Sequence, residues 1–346
     1  MIDPSANADG TDLVAARSTT AATIPIMKGK HIEGLDCSAA ADEMIRHVLR
    51  AQVNAMCAVR KQALNFADPE GVHQMRVLSR RLRSTIADFE PHMRKTRLPL
   101  TGVRAIARRL GGVRDEDVAL AALEKLKAET HGDVAHGIEI LINERQARRD
   151  QARGDLQKAI RSSTVAELLE EFERRLTPRT PSPEKPLAPA ETPPSPTFRS
   201  IGVRVIRGRL KDLRAASHHI YFPADIDALH ELRILSKGLR YACELFAACW
   251  GQDMRAIAKE IAQLQTSLGE LHDCDVWMSD LGTRLKKIAR GVQTDPEQMR
   301  TTAACTWLLK YFAKVRTEHY RDAVGRWQQW QTDGFLNSLT SLIGSG

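Results

Sequence analysis

The stretch Gly71–Phe89, GVHQMRVLSRRLRSTIADF, decides how this chain is read. Set on a helix at about 100° per residue from His73, it places His73, Arg76, Arg80 and Arg83 at roughly 0, −60, −20 and −80°. By the same count Met75, Leu78, Leu82, Ile86 and Phe89 fall at roughly 140 to 220°. One face is a core face, and the opposite face presents a narrow ladder of positive charge.

The stretch occurs twice. Leu229–Phe246 reads LHELRILSKGLRYACELF, where His230, Arg233, Lys237 and Arg240 repeat the basic spacing. Leu232, Leu235, Leu239, Cys243 and Phe246 repeat the apolar face. Like charges at i, i+3 and i+4 repel by roughly 0.2–0.5 kcal/mol per pair. Ordinary solvated faces dilute that repulsion by mixing Lys with Glu. Four basic groups kept on one face, in two copies, point to an anion held there.

A second motif follows each copy. LGGVRDEDV, Leu110–Val118, comes after the first, and LGELHDCDV, Leu268–Val276, comes after the second. His73 to Asp115 is 42 positions (115 − 73), and His230 to Asp273 is 43 (273 − 230). The duplicated unit is therefore several helices long. Later basic residues correspond too: Arg145, Arg148, Arg149 and Arg153 are answered by Lys310, Lys314, Arg316 and Arg321.

Around these motifs the spacing predicts helices over 39–64, 71–89, 103–126, 136–157, 164–176, 198–213, 229–246, 254–279 and 302–330. Asp68-Pro69 suits a helix start. Residues 1–36, rich in Ala, Thr, Asp and Gly, read as a mobile tail. Eight of the fifteen prolines fall between Pro178 and Pro196, which excludes a helix or central strand and predicts an extended linker over 177–197. The halves are then 37–176 and 198–340.

Net charge of +8 and a pI of about 9.3 favour an anionic partner. Aromatics make up 5%, and all five Trp lie from Trp250 to Trp330, so the basic helices lack the stacking platforms of single-strand nucleic-acid binders. Cys37, Cys57, Cys243, Cys249, Cys274 and Cys305 include no CxxC pair and no zinc-site spacing, and read as buried small hydrophobes in a reducing compartment. No apolar run reaches the length of a membrane span, and no secretory signal is evident. A cytoplasmic location is expected, with no membrane partner.

The doubled HQMRVLSRRLR and HELRILSKGLRYACELF, with LGGVRDEDV and LGELHDCDV, resemble the CHAD domain, the conserved histidine α-helical domain. The likeness covers about residues 37–340 apart from the linker. It implies an all-α fold of two antiparallel helical bundles related by a pseudo-twofold, with basic helix faces lining a central cavity or groove. It also implies binding of inorganic polyphosphate, often at polyphosphate granules. The motif positions carried over are His73, Arg76, Arg80, Arg83, His230, Arg233, Lys237 and Arg240. Basic sides of flanking helices extend the candidate set to Arg46, Arg50, Arg60, Arg104, Arg108, Arg204 and Arg207. Two departures mark the second copy. Lys237 offers a point charge where Arg80 offers a fork, and Gly238 stands where the first copy has Arg81.

Polyphosphate is a flexible polyanion without bases. It asks for a dense array of Arg, Lys and protonated His, which the two stripes supply. Asp115 with Asp117, and His272 with Asp273 and Asp275, can be drawn as a metal site for a phosphohydrolase. Amid so many arginines, pairing with them is the simpler role. No Walker loop, nucleophile elbow or HExxH occurs. The expectation is therefore non-catalytic polyphosphate binding without cofactor or metal. Nucleic-acid binding and metal-dependent phosphohydrolysis are the alternatives.

Overall fold

The structure, a computed structural model, describes residues 32–93, 96–178, 195–290 and 295–345. Among these residues it has eleven α-helices and no strand. The first half runs α1 (Ala41–Ala58), α2 (Arg60–Ala63), α3 (Glu70–Phe89), α4 (Leu100–Ala128), α5 (Gly132–Ala159) and α6 (Ser162–Leu176). The second runs α7 (Phe198–Ala216), α8 (Ile226–Leu245), α9 (Ala247–Ile288), α10 (Pro296–Thr332) and α11 (Phe335–Gly344). The predicted helices are present, and several are longer than expected. The last, α11, has no counterpart in the sequence reading and carries the second half past residue 340.

Local chemistry sets several of these ends. Thr197 caps α7 by accepting from Ser200 N at 3.2 Å, and Asp225 caps α8 by accepting from Ala228 N at 3.1 Å. Pro296 occupies the first turn of α10 behind Asp295, which accepts from Glu297 N at 3.0 Å. Helix α9 is broken at Gly251, whose φ of 70° and ψ of −140° suit glycine alone. At the start of α3, a Cβ on Gly71 would stand 2.1 Å from the Gln62 carbonyl oxygen, so α2 and α3 pack closely only over glycine.

Two hydrophobic clusters organise the molecule. The larger gathers α1, α3, α6, α7, α8, α11, the first halves of α4 and α9 and the end of α10. At its centre Phe89, Phe198 and Phe246 meet with ring centroids 4.9 to 6.2 Å apart, which joins α3 to α7 and α8 across the halves. Each such buried ring contributes on the order of 1.5–3 kcal/mol. The smaller cluster is built from the second halves of α4 and α9 and the first halves of α5 and α10. There α5 and α10 come so close that a Cβ on Gly137 would meet the Arg300 carbonyl oxygen at 2.1 Å.

Helices α4 and α9 run from one cluster into the other and change their buried face on the way. On α4, Val103, Ile106, Leu110 and Val113 belong to the larger cluster, and Leu120, Leu123 and Leu126 to the smaller. At 100° per residue the second set is rotated by about 120° from the first. On α9, Met254 to Leu268 and then Cys274, Trp277 and Leu281 make the same switch, by about 170°. The motifs LGGVRDEDV and LGELHDCDV sit at these switches: Leu110, Val113 and Leu268 still belong to the larger cluster and Cys274 to the smaller, while the aspartates between belong to neither.

Three expectations need revision or fall outside what is described. Cys37 and Cys249 form a disulfide with a Cα separation of 5.5 Å, so the expectation of six reduced thiols is corrected. Cys57, Cys243, Cys274 and Cys305 are free and buried. Burial pushes the Cys57 thiol up to about 11 and, with the charges of Asp273, Glu270 and Asp275, the Cys274 thiol up to about 12. Of the expected tail over 1–36, residues 1–31 lie outside the described residues, whereas Ile32 and Leu35 pack against the larger cluster. Of the proline-rich segment 177–197, residues 179–194 lie outside them. Its far end is tied to the start of α1: Ala41 N donates to Pro196 O at 2.8 Å and Phe198 N to Ala39 O at 3.0 Å.

Candidate functional site

The two basic stripes lie on α3 and α8, and these helices pack against each other. The stripes are less exposed than the amphipathic reading suggests. Arg76, Arg233 and Lys237 are 6%, 2% and 5% exposed, so a fully presented ladder is corrected to one with buried rungs. The physical reason is that α3 is packed against α1 and α2 on one side and α4 on another, while α8 is packed between α7 and α9. The side opposite the apolar face therefore meets the acidic switch segments. His73, Arg80, Arg83, His230 and Arg240 stay half-buried and keep contact with solvent.

In the first half the switch segment answers the stripe with carboxylates. Arg76 Nη2 is 3.4 Å from Asp115 Oδ1. Arg153 of α5 is 3.4 Å from Asp117 Oδ1, and Arg145 is 3.2 Å from Glu116 Oε2. Burial pushes the Asp117 carboxyl up, against the opposing charges of Arg153, Arg149 and Arg114. The second half repeats this with Arg316 of α10, whose Nε lies 2.6 Å from Asp275 Oδ1. Burial likewise pushes Asp275 up, against its bond to Arg316. The correspondence of the arginines around 145–153 with those around 310–321 thus has a structural meaning: one from each set holds the same aspartate of the motif.

The second half differs at His272, which stands where the first has Arg114. His230 Nδ1 and His272 Nδ1 are 3.1 Å apart, with ring centroids 4.1 Å apart. A bond between two ring nitrogens needs one donor and one acceptor, so at least one ring is neutral. Burial, then Arg233, His230 and Lys237, hold the His272 pKa down at about 3. The Arg233 side chain passes over Gly269 of α9, with Nε 3.8 Å from where a Cβ would be. Gly238, a gap in the second stripe, is overlain by Arg209 of α7, whose Nη1 lies 3.4 Å from the Cβ position. Arg209 in turn binds Asp88 of α3, Nε to Oδ1 at 2.8 Å.

The stripes converge at Tyr241. Arg80 and Arg81 from α3 and Arg240 from α8 stand 5.8, 5.6 and 4.9 Å from the centre of its ring. Cation–π attraction lets like charges share this small space. Glu244 binds Arg81 at 2.7 Å and lies 3.7 Å from Arg240. The sequence reading passed over Tyr241 and Glu244. The available signal was YACE in the second copy against STIA in the first, an aromatic and an acid with no counterparts.

The flanking candidates divide. Arg104 and Arg108 on α4 and Arg204 and Arg207 on α7 are exposed. Arg204 adds to burial in holding down the pKa of His92, which places it near the end of α3. Three candidates on the first two helices are engaged elsewhere. Arg46 pairs with Asp42 one turn back, Arg50 binds Glu173 of α6 at 2.8 Å, and Arg60 Nε donates to the Ile160 carbonyl at the end of α5.

Comparison with known proteins agrees with this architecture. The family model described as the CHAD domain matches residues 47–282. A crystal structure of the CHAD domain from the plant Ricinus communis superposes with a TM-score of 0.62 at 21% identity, covering 92% of this chain and 96% of that one. PptA from Streptomyces chartreusis superposes with a TM-score of 0.55 at 16% identity, covering 84% of this chain and all (100%) of that one. At such identities these likenesses speak to the fold. No curated protein matches the chain by sequence. No helix among the described residues is long and apolar enough to cross a membrane.

Proposed function

The chain belongs to the CHAD domain family, and from that premise we propose that it binds inorganic polyphosphate without cleaving it. The family's association with polyphosphate supports a polyphosphate-related role. The observation that carries the finer reading is the meeting of the two stripes at Tyr241, which joins two short basic ladders into one longer track. The half-buried His73, Arg80, Arg83, His230 and Arg240 contact the polyanion. The buried Arg76, Arg233 and Lys237 contribute their field and anchor the switch segments. Guanidinium forks take two oxygens at a time. Burial and the cations around it hold His272 neutral, and the negative charge of approaching phosphates works against that, raising its pKa. The aspartates of the switch segments orient arginines and do not activate water. Association with polyphosphate granules follows from affinity for long chains.

The test is titration with long polyphosphate at two salt concentrations. Binding that displaces condensed counterions makes log affinity fall linearly with log salt. Arg80→Ala with Arg83→Ala removes two charge-assisted contacts worth on the order of 1.5–3 kcal/mol each, so affinity should drop at least about tenfold and the slope should flatten. RNA at the same salt should compete poorly, and Mg²⁺ or Mn²⁺ should elicit no phosphate release. An unchanged slope in the double variant, or turnover lost in Asp115→Ala, would overturn the reading.

A further inference from the structure

A cavity of about 490 Å³ opens beside the point where the stripes meet. Five segments enclose it: residues 32–35, α1, α3, α8 and the start of α9. Its volume falls within the roughly 300–1,000 Å³ range of sites for small ligands. Its wall has two characters. Arg81, Arg240, Arg255 and Lys259 face it with only Glu244 as counter-charge. Ile32, Leu35, Leu245 and Ala262 make the rest apolar. Between them lies Tyr241, 6% exposed, whose hydroxyl is enclosed with no hydrogen-bond partner among the described residues. Gln52 Oε1 on the α1 wall is in the same condition. Buried polar atoms are seldom left so, and two of them lining one cavity indicate a polar guest.

A bare polyphosphate chain has nothing to offer the apolar wall, and an uncharged apolar molecule would have nothing to offer the basic one, where four cations share the single carboxylate of Glu244. We infer that this cavity is a binding site for a phosphorylated small molecule with an apolar or planar organic body. The phosphate sits toward Arg240, Arg255 and Lys259, and the body lies against Leu35, Leu245 and Ala262 within reach of Tyr241 Oη and Gln52. The roof is held in place by the chain itself. The Cys37–Cys249 disulfide ties the segment carrying Ile32 and Leu35 to α9, and Arg199 N donates to the Cys37 carbonyl at 2.9 Å. This inference does not rest on polyphosphate binding.

Two probes distinguish the sources of such a ligand: ADP, with a planar body, and octyl phosphate, with an alkyl one. Calorimetric titration of the full chain should show one-to-one binding of at least one of them. Tripolyphosphate, which has charge without a body, should compete at least tenfold more weakly than that probe. Arg255 and Lys259 are exposed, so Arg255→Ala with Lys259→Ala should fold normally, lose at least tenfold in affinity for the probe, and bind long polyphosphate as the wild type does. Ala262→Phe, which fills the apolar end and keeps every charge, should abolish probe binding alone. The inference is overturned if neither probe binds, if Ala262→Phe binds as well as wild type, or if tripolyphosphate competes as strongly as the organic phosphate. Loss of long polyphosphate along with the probe in the Arg255/Lys259 variant would also overturn it, because the cavity would then be part of the polyphosphate track.

Discussion

His272 makes the stability of this protein depend on pH in a way its variant should not. An unfolded chain presents a histidine of ordinary pKa, 6.5, whereas in the fold burial and the charges of Arg233, His230 and Lys237 hold His272 near 3. Between these values the unfolded state binds the extra proton, so stability falls as pH drops through 6.5 and levels off only near 3. From pH 7 to pH 5 the difference is worth about 2 kcal/mol. Urea unfolding of wild type and His272→Asn at pH 7, 6 and 5 measures it, because asparagine cannot titrate. The wild type should lose about 2 kcal/mol more than the variant across that interval. Curves that stay parallel would refute the reasoning. The same linkage acts on binding: phosphates near His272 raise its pKa, so polyphosphate binding at acidic pH should take up protons. Calorimetry in buffers of different ionisation heat should show that uptake in the wild type and less of it in His272→Asn.

Other predictions follow from the packing. Gly71→Ala forces a methyl onto the Gln62 carbonyl and should cost at least about 2 kcal/mol in chemical denaturation; a near-neutral result would mean that α2 moves freely against α3. Cys37→Ser removes a cross-link spanning 212 residues and should lower stability by about 2–5 kcal/mol, with reductant doing the same to the wild type. An unfolding midpoint indifferent to reductant in the wild type would count against the disulfide. Cleavage between residues 179 and 194 should leave the two halves associated on gel filtration, because both hydrophobic clusters draw residues from each half. Separation into two pieces would show that these clusters are too weak to hold the halves.

The helices and their duplication were legible because each rests on local signals: a 3.6-residue period, proline and glycine breaks, and two motifs at matching intervals. The stripes were legible for the same reason, since residues three and four apart must share a helix face. What the sequence could not specify is what that face meets. A helical projection gives Arg76 and Arg80 nearly the same direction, yet Arg76 is buried against Asp115 while Arg80 stays half-exposed at Tyr241. The difference comes from where α4 and α8 cross α3, which is a property of tertiary packing. The change of buried face along α4 and α9 blurs the apolar period in just those helices, so the acidic motifs were legible as a duplicated signature and as partners for arginines, but not by what they join. In the folded molecule they are the junctions between two cores. The Cys37–Cys249 pairing joins residues 212 apart, and no local spacing announces it. Local periodicity determined the elements and their basic faces, while the burial of individual cations, the carboxylates that hold them and the cavity beside Tyr241 were decided only when distant segments came together.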